Sequence, residues 1–281
     1  LKKTDPEMNM TSHAVSNQEI ASLILAAGRG SRMTGFDGNK TLLPLISAQT
    51  PFQGKRPILL HILNSLPPGP KGVVVNFRKE DVIGATSSLG LSYYDQPQLN
   101  GTGGALIAAK RFLETPECDR LIVTMGDVPL VMRTTYLDLI GGLEHYDLMI
   151  LGFRPSDKKR YGVLEMDGMN VKRIIEWKYW KGYLSKKQKR FQICNSGIYA
   201  AEKPYLLHYL GILETSPHTV MKDRDGKMVE IEEFFITDLV ELMAADGLKV
   251  GCVVVKDENE VMGVDDLPSL IKAQGIFKKF L

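Results

Sequence analysis

Apolar residues along this chain fall into short blocks separated by polar, glycine- or proline-bearing stretches. Residues 23–27, Leu-Ile-Leu-Ala-Ala, form an unbroken apolar run of the length that suits a strand buried on both faces. Strands are also expected at 72–76, which is valine-rich, at 91–94 and at 121–125. Between them, 79–88 and 103–113 read as helices, and Arg56-Pro57-Ile58-Leu59 predicts a helix with proline in its first turn, closed by Pro67-Pro68-Gly69-Pro70. Strand and helix in alternation predict an α/β fold on a mainly parallel sheet. From 147 onward the pattern turns meander-like, with strands expected at 147–153, 161–166, 171–176 and 191–200, and a basic loop from Lys178 to Arg190. A helix is expected from Phe234-Phe235-Ile236-Thr237-Asp238-Leu239, with Thr237 or Asp238 as cap or first-turn residue. A strand follows at 248–255, then a last helix after Gly263-Val264-Asp265-Asp266-Leu267, ending near Phe280. One of Asp265 and Asp266 must cap that helix, which frees the other. Residues 1–19 are polar and aperiodic and read as a disordered tail, leaving one domain over 20–281.

Composition narrows the class. Of 281 residues, 44% are hydrophobic and 24% charged, and the formal net charge is +2. That balance is ordinary for a soluble globular chain and supplies no field for nucleic acid or anionic lipid. Cys118, Cys194 and Cys252 are sparse and odd in number, which argues for a reducing compartment, here the cytoplasm, and against a disulfide framework. The five histidines show no ligand spacing, so a zinc site is not expected. No run approaches the roughly 18 apolar residues needed to span a bilayer. No long amphipathic seam is visible, which favours a monomer.

The candidate chemistry lies where apolar runs end. Residues 23–27 run into Gly28-Arg29-Gly30-Ser31-Arg32-Met33. Glycines there let the chain turn and let a ligand approach, and arginines beside them can clamp an anion. An ordinary strand-to-loop junction with two solvated arginines reads as well. Lys40 stands just before the apolar run 42–45, either as a surface charge or with its ammonium returned to the first loop. Gly101-Thr102-Gly103-Gly104 opens a helix, as a ligand-approach turn or as close helix–strand packing. Asp127 ends the run Leu121-Ile122-Val123-Thr124-Met125-Gly126, at the carboxyl end of a strand, where open α/β sheets bind ligands. A carboxylate there caps a turn or holds a metal.

The segment Leu25-Ala26-Ala27-Gly28-Arg29-Gly30-Ser31-Arg32-Met33 resembles the signature loop of sugar-nucleotide nucleotidyltransferases. About six motifs follow in the family's order, over roughly 22–278, and the likeness is nearest to the uridylyltransferase domain of bacterial UDP-N-acetylglucosamine pyrophosphorylases. The resemblance implies a Rossmann-like three-layer sandwich with a mixed, mainly parallel sheet. It implies transfer of a nucleotidyl group from an NTP, UTP above others, to a sugar 1-phosphate, N-acetylglucosamine 1-phosphate above others, with magnesium as cofactor. On the matching positions, Leu25, Ala26, Ala27, Gly28, Gly30, Gln96, Gly101 and Thr102 would bind the nucleotide. Arg32 and Lys40 would hold the triphosphate and its developing charge, and Asp127 and Asp265 the metal. Gly162, Glu176, Asn195 and Thr237 would meet the sugar. Departures from close relatives are Gly104 where histidine is common, Met125 where tyrosine is, Asp265 and Asp266 where close uridylyltransferases have asparagine and other sugar-nucleotide enzymes aspartate, and a spacing to Lys40 one residue longer.

Two other readings stay open: a cytidylyltransferase acting on a non-sugar phosphate such as a methylerythritol phosphate, and a non-catalytic nucleotide-sugar-binding relative. The Asn195-Ser196-Gly197 and Ile236-Thr237-Asp238 segments favour a sugar, and the Arg32, Lys40, Asp127 and Asp265 set favours catalysis. In the bifunctional bacterial enzymes a β-helix of hexapeptide repeats follows this domain and carries acetyl transfer. No such periodicity occurs in this sequence, so acetyltransferase activity is not expected of it.

Overall fold

A computed structural model describes residues 19–224 and 226–280. The expected disordered tail therefore lies outside the described residues, apart from its last position. The strands are β1 (Ala21–Leu25), β2 (Pro44–Ser47), β3 (Gly54–Pro57), β4 (Lys71–Val75), β5 (Ser92–Asp95), β6 (Arg120–Met125), β7 (Leu148–Phe153), β8 (Val163–Asp167), β9 (Asn170–Ile175), β10 (Cys194–Glu202), β11 (His218–Arg224), β12 (Lys227–Glu233) and β13 (Val250–Val255). The principal helices are α1 (Ile58–Ser65), α2 (Lys79–Thr86), α3 (Gly101–Ala108), α4 (Lys110–Leu113), α5 (Arg133–Gly142), α6 (Trp177–Trp180), α7 (Ser185–Gln188), α8 (Lys203–Leu213), α9 (Ile236–Ala245) and α10 (Leu267–Phe277).

The main sheet has the order β13-β7-β10-β6-β1-β4-β5, with β8 and β9 attached beside β10. β1 lies parallel to both β4 and β6, β5 is parallel to β4, and β13 is parallel to β7. β10 alone runs antiparallel along that path, wedged between β6 and β7. The sheet is thus mixed and mainly parallel.

Side-chain alternation along the buried strands makes two cores. Ile24 and Ile122 face one side, with Ile62 of α1, Leu139 of α5 and Phe277 of α10. Leu23, Leu25 and Val123 face the other, with Leu106 of α3, Leu210 of α8 and Leu239 of α9. Helices therefore cover both faces, the third layer that a fully apolar strand demands. No helix among the described residues is long and apolar enough to cross a membrane.

Several local expectations are corrected. Arg56 and Pro57 belong to β3, paired with β2, and Pro57 precedes α1 rather than sitting in its first turn. The helix expected over 103–113 starts at Gly101 and breaks at Ala109 into α3 and α4. The basic stretch 178–190 is not all loop: it carries α6 and α7, and the Trp180 indole donates to the Tyr161 carbonyl at 2.9 Å. For Thr237 and Asp238 the first-turn expectation holds and the capping one does not. Phe235 occupies the cap position without a side-chain bond, Asp238 lies in the first turn, and both side chains are engaged elsewhere.

Candidate active site

Parallel pairing of β1 and β6, with Leu25 opposite Met125, sends two loops off the same edge of the sheet. The Gly126 amide donates to the Leu25 carbonyl at 2.9 Å and the Ala26 amide to the Val74 carbonyl at 2.9 Å, so the two chains leave side by side. A Cβ on Gly126 would come within 3.0 Å of the Ala26 Cβ, which accounts for glycine there.

Lys40 is what joins these loops. A short 3-10 turn over Lys40–Leu42, capped by the Asn39 side chain, holds it buried. Its Nζ hydrogen-bonds the Asp127 carboxylate and also donates to Asp265 Oδ1 at 3.2 Å. Burial pulls the Lys40 pKa down, but the two carboxylates outweigh it and hold the amine above the ordinary lysine value. Arg32 reaches the same Asp265 oxygen at 3.1 Å, and its side chain is 69% exposed. Asp265 is free to take part because Asp266 is the cap: Asp266 Oδ1 accepts from the Ser269 amide at 2.9 Å, and the Ser269 hydroxyl returns to close a capping box. Those bonds hold the Asp266 carboxyl below its usual range.

The same two strand ends also line a cleft of about 240 Å³ through Leu25, Ala27, Gly28 and Met125, together with Gln96, Gly101, Thr102, Lys222 and Glu233. Gly28 has no protein atom within 4 Å of where a Cβ would stand, which leaves the approach open. Ala26 is buried beneath the loop, outside the lining. The glycines at 101 and 103 have a different cause. Gly101 adopts φ +96°, and a Cβ on either residue would strike the backbone of Phe234. The Gly103 amide donates to the Phe234 carbonyl at 2.9 Å, and the Phe234 amide to the Asn100 carbonyl at 2.8 Å. The turn is thus closely packed against the start of α9, and Gly101 lines the cleft as well.

The residues expected to meet a sugar gather in two places. Gly162, just before β8, stands beside Glu176, whose carboxylate accepts from the Thr237 hydroxyl at 3.0 Å. Burial raises the Glu176 carboxyl pKa, and the Thr237 bond opposes that rise. Asn195 lies on β10, bound to the Gly162 carbonyl through its amide at 2.9 Å. Its side chain is engaged locally, donating to the Tyr199 hydroxyl at 2.8 Å and accepting from the Gly197 amide at 3.0 Å. Those bonds fix the bulge in β10 that places Gly197 over Met125.

The MobA-like NTP transferase domain family matches residues 22–170. This chain belongs to that family. A bifunctional protein GlmU from Sphingopyxis alaskensis is 32% identical over 271 residues, covering 94% of this chain and 54% of the relative. A bifunctional protein GlmU from Ruegeria sp. is 32% identical over 263 residues, covering 92% of this chain and 53% of the relative. The chain spans about half the length of the curated relatives it matches. Among solved structures, a uridine diphosphate N-acetylglucosamine pyrophosphorylase from Trypanosoma brucei is similar with a TM-score of 0.68 at 13% identity, covering 92% of this chain and 65% of that one. A 4-diphosphocytidyl-2C-methyl-D-erythritol synthase from Anaerococcus prevotii is similar with a TM-score of 0.59 at 15% identity, covering 93% and 97%. At those identities the likeness is one of fold.

Within this NTP transferase fold, two cleft residues went unread in the sequence. Lys222 and Glu233 sit on the hairpin β11–β12, whose polar, exposed strands carry little periodicity. Tyr161, outside the cleft lining, was singled out only for its neighbour Gly162. Its ring packs edge-on against Phe153, and burial raises its phenol pKa, with Asp265 and Asp127 adding to the rise.

Proposed function

We propose that this chain transfers a nucleotidyl group from UTP to N-acetylglucosamine 1-phosphate, giving the nucleotide sugar and pyrophosphate. The observation that carries the reading is the convergence of Lys40, Asp127, Asp265 and Arg32 on the loops that leave β1 and β6, whose strand-end residues Gly28 and Met125 line a cleft with Gln96 and Thr102. Family membership supplies the reaction class. The base and the sugar rest on the likeness to the GlmU relatives, and the Glu176–Thr237 pair supports a hydroxyl-rich acceptor.

In this reading a sugar phosphate oxygen attacks the α-phosphorus in line and pyrophosphate leaves. No covalent enzyme intermediate forms, so positioning and charge neutralisation carry the rate. Arg32 presents a planar fork to phosphate oxygens, and Lys40 a compact charge held by its two carboxylates. The amides of the Gly28–Gly30 turn face the same anion. Glu176, Thr237 and the Gly162 backbone orient the sugar, with Asn195 keeping the bulge behind them.

Asp127 and Asp265 would hold magnesium. The donor set fits: both carboxylates reach one ammonium, so they converge, and magnesium takes one or two carboxylates together with substrate phosphates and water. Among the described residues no group of three or more potential ligands occurs, which such a shared site does not require. When bound, the ion supplies charge neutralisation at phosphate oxygens. The three free cysteines fit action on small molecules in a reducing, cytoplasmic compartment.

Pyrophosphate release measured over a panel of NTPs and sugar 1-phosphates, with CTP and methylerythritol phosphate included, tests the proposal. The UTP and N-acetylglucosamine 1-phosphate pair is expected to be fastest. Release only with CTP and methylerythritol phosphate, or with no pair at all, would sink it.

A further inference from the structure

Hairpin β11–β12 brings two charged side chains into the nucleotide cleft. Lys222 Nζ and Glu233 Oε1 lie 2.7 Å apart, with the Glu233 side chain only 12% exposed and that of Lys222 42%. Glu233 is pressed on the glycine-rich turn, since a Cβ on Gly101 would come 2.8 Å from its Cγ. The end of the hairpin is stapled to that turn through the Phe234 backbone and through the Ile236 amide, which donates to the Thr102 hydroxyl at 3.4 Å.

Gln96 lines the same cleft and is buried. Its Nε2 donates to Asn100 Oδ1 and to the Gly101 carbonyl, both at 3.0 Å. A backbone carbonyl only accepts, so this bond fixes which way the amide points, and both Nε2 hydrogens are spent. Gln96 can offer a nucleobase nothing but its Oε1, an acceptor. A base that carries a carbonyl beside a ring N–H needs a donor as well. Lys222 has three hydrogens on Nζ, and the bond to Glu233 takes one.

We propose that Lys222, held by Glu233, donates to a carbonyl oxygen of the NTP base while Gln96 Oε1 accepts from the neighbouring ring N–H, so that the hairpin selects a uracil-type base over adenine. This rests on the nucleotidyltransferase reading above. Adenine presents an amino group and an unprotonated ring nitrogen on that edge, which reverses the order of donor and acceptor and leaves the buried Gln96 amide facing another acceptor. Glu233 acts through Lys222 and is a positioning residue.

The test is calorimetric binding of UTP, CTP and ATP to the wild type and to Lys222→Met, Lys222→Arg and Glu233→Gln, each checked for folding by circular dichroism. Wild type is expected to prefer UTP to ATP by about tenfold or more, the size of effect a charged hydrogen bond carries. Lys222→Met should lose about tenfold for UTP and leave ATP within about twofold, while Lys222→Arg keeps most of the UTP affinity. In Glu233→Gln the effect should fall on KM for UTP and spare KM for the sugar phosphate. An equal loss for UTP and ATP in Lys222→Met would mean a general charge effect on the triphosphate, and it would overturn the inference, as would no loss. Should the wild type bind none of the three nucleotides, the proposed function itself falls. Should it bind UTP and release pyrophosphate while Lys222→Met discriminates as before, only the inference falls.

Discussion

The stem of Lys40 lies along Gly30. Gly30 adopts φ +62°, and a Cβ there would stand 3.1 Å from Lys40 Cδ and 3.3 Å from its Cβ and Cγ. Glycine at this position thus serves the lysine as well as the turn. Gly30→Ala should cost about 1–2 kcal/mol from the left-handed backbone alone. It should also lower turnover, on the order of tenfold, by displacing the ammonium; 1.4 kcal/mol off transition-state stabilisation is that factor. Gly28→Ala meets no protein atom and should leave stability within about 0.5 kcal/mol. Urea denaturation of both variants beside their turnover separates the two roles, and equal destabilisation would contradict them.

Adjacent aspartates at the start of α10 have separate tasks. Asp265→Ala should reduce turnover on the order of a thousandfold, as should Asp127→Ala, since metal stabilisation of phosphate charge is worth several kcal/mol. Asp266→Ala removes the capping box and should cost about 1 kcal/mol of stability with turnover near that of the wild type. Steady-state kinetics and thermal melts on the three variants check this, and an active Asp265→Ala would refute the assignment.

Arg32 bonds Asp265 at 3.1 Å, whereas Arg29 is exposed and no bond to its side chain is found among the described residues. Arg32→Ala should lower turnover by roughly 10³–10⁵, the range for cationic groups in phosphoryl transfer. Arg32→Lys should rescue poorly, because a point charge lacks the fork. Arg29→Ala should matter far less. Equal effects at the two positions in a pyrophosphate-release assay would count against the clamp.

Removing the Lys40 ammonium leaves two carboxylates facing one another, with side-chain exposures of 17% and 39%. Lys40→Met should therefore lose about 1–3 kcal/mol of stability, the lower end if solvent screens the pair. Millimolar magnesium should raise its Tm more than that of the wild type, because an ion can replace the missing charge. Melts in magnesium and in sodium at matched ionic strength decide it; a wild type and variant that respond alike would argue against a metal held by Asp127 and Asp265.

Burial holds the Glu176 carboxyl above its ordinary pKa, against the pull of the Thr237 bond. Between its unfolded and folded pKa values the native state then binds more protons than the unfolded one. This group's contribution to stability falls as pH rises through that window. Glu176→Gln should flatten the stability curve there. Thr237→Val removes the opposing bond and should move the carboxyl pKa further up, read by carbon-13 NMR titration. An unchanged or lower value would show that the bond does not stabilise the carboxylate.

Local physics made part of this molecule legible from its residues. An apolar run such as 23–27 has to be buried, and the switch to Gly28 and Gly30 marks where the chain leaves the sheet. The same reasoning placed Asp127 at a strand end and a capping aspartate before α10. The choice between Asp265 and Asp266 lay beyond it, because either can cap until Ser269 is seen to bond one of them. The role of Thr237 was hidden for a related reason: it looks like a cap until Glu176 from another element takes its hydroxyl. Hairpin β11–β12 escaped because its strands are polar and exposed, so the pairing with each other and with the glycine-rich turn leaves no apolar period. Even the wedging of β10 antiparallel between β6 and β7 is a matter of sheet order, which hydrophobicity does not encode. The charged cluster is the clearest case. Lys40 meets Asp127 and Asp265 across separations of 87 and 225 residues, and only the folded chain, in which the Val264 amide also bonds the Asp127 carbonyl, brings such groups within one hydrogen bond of each other.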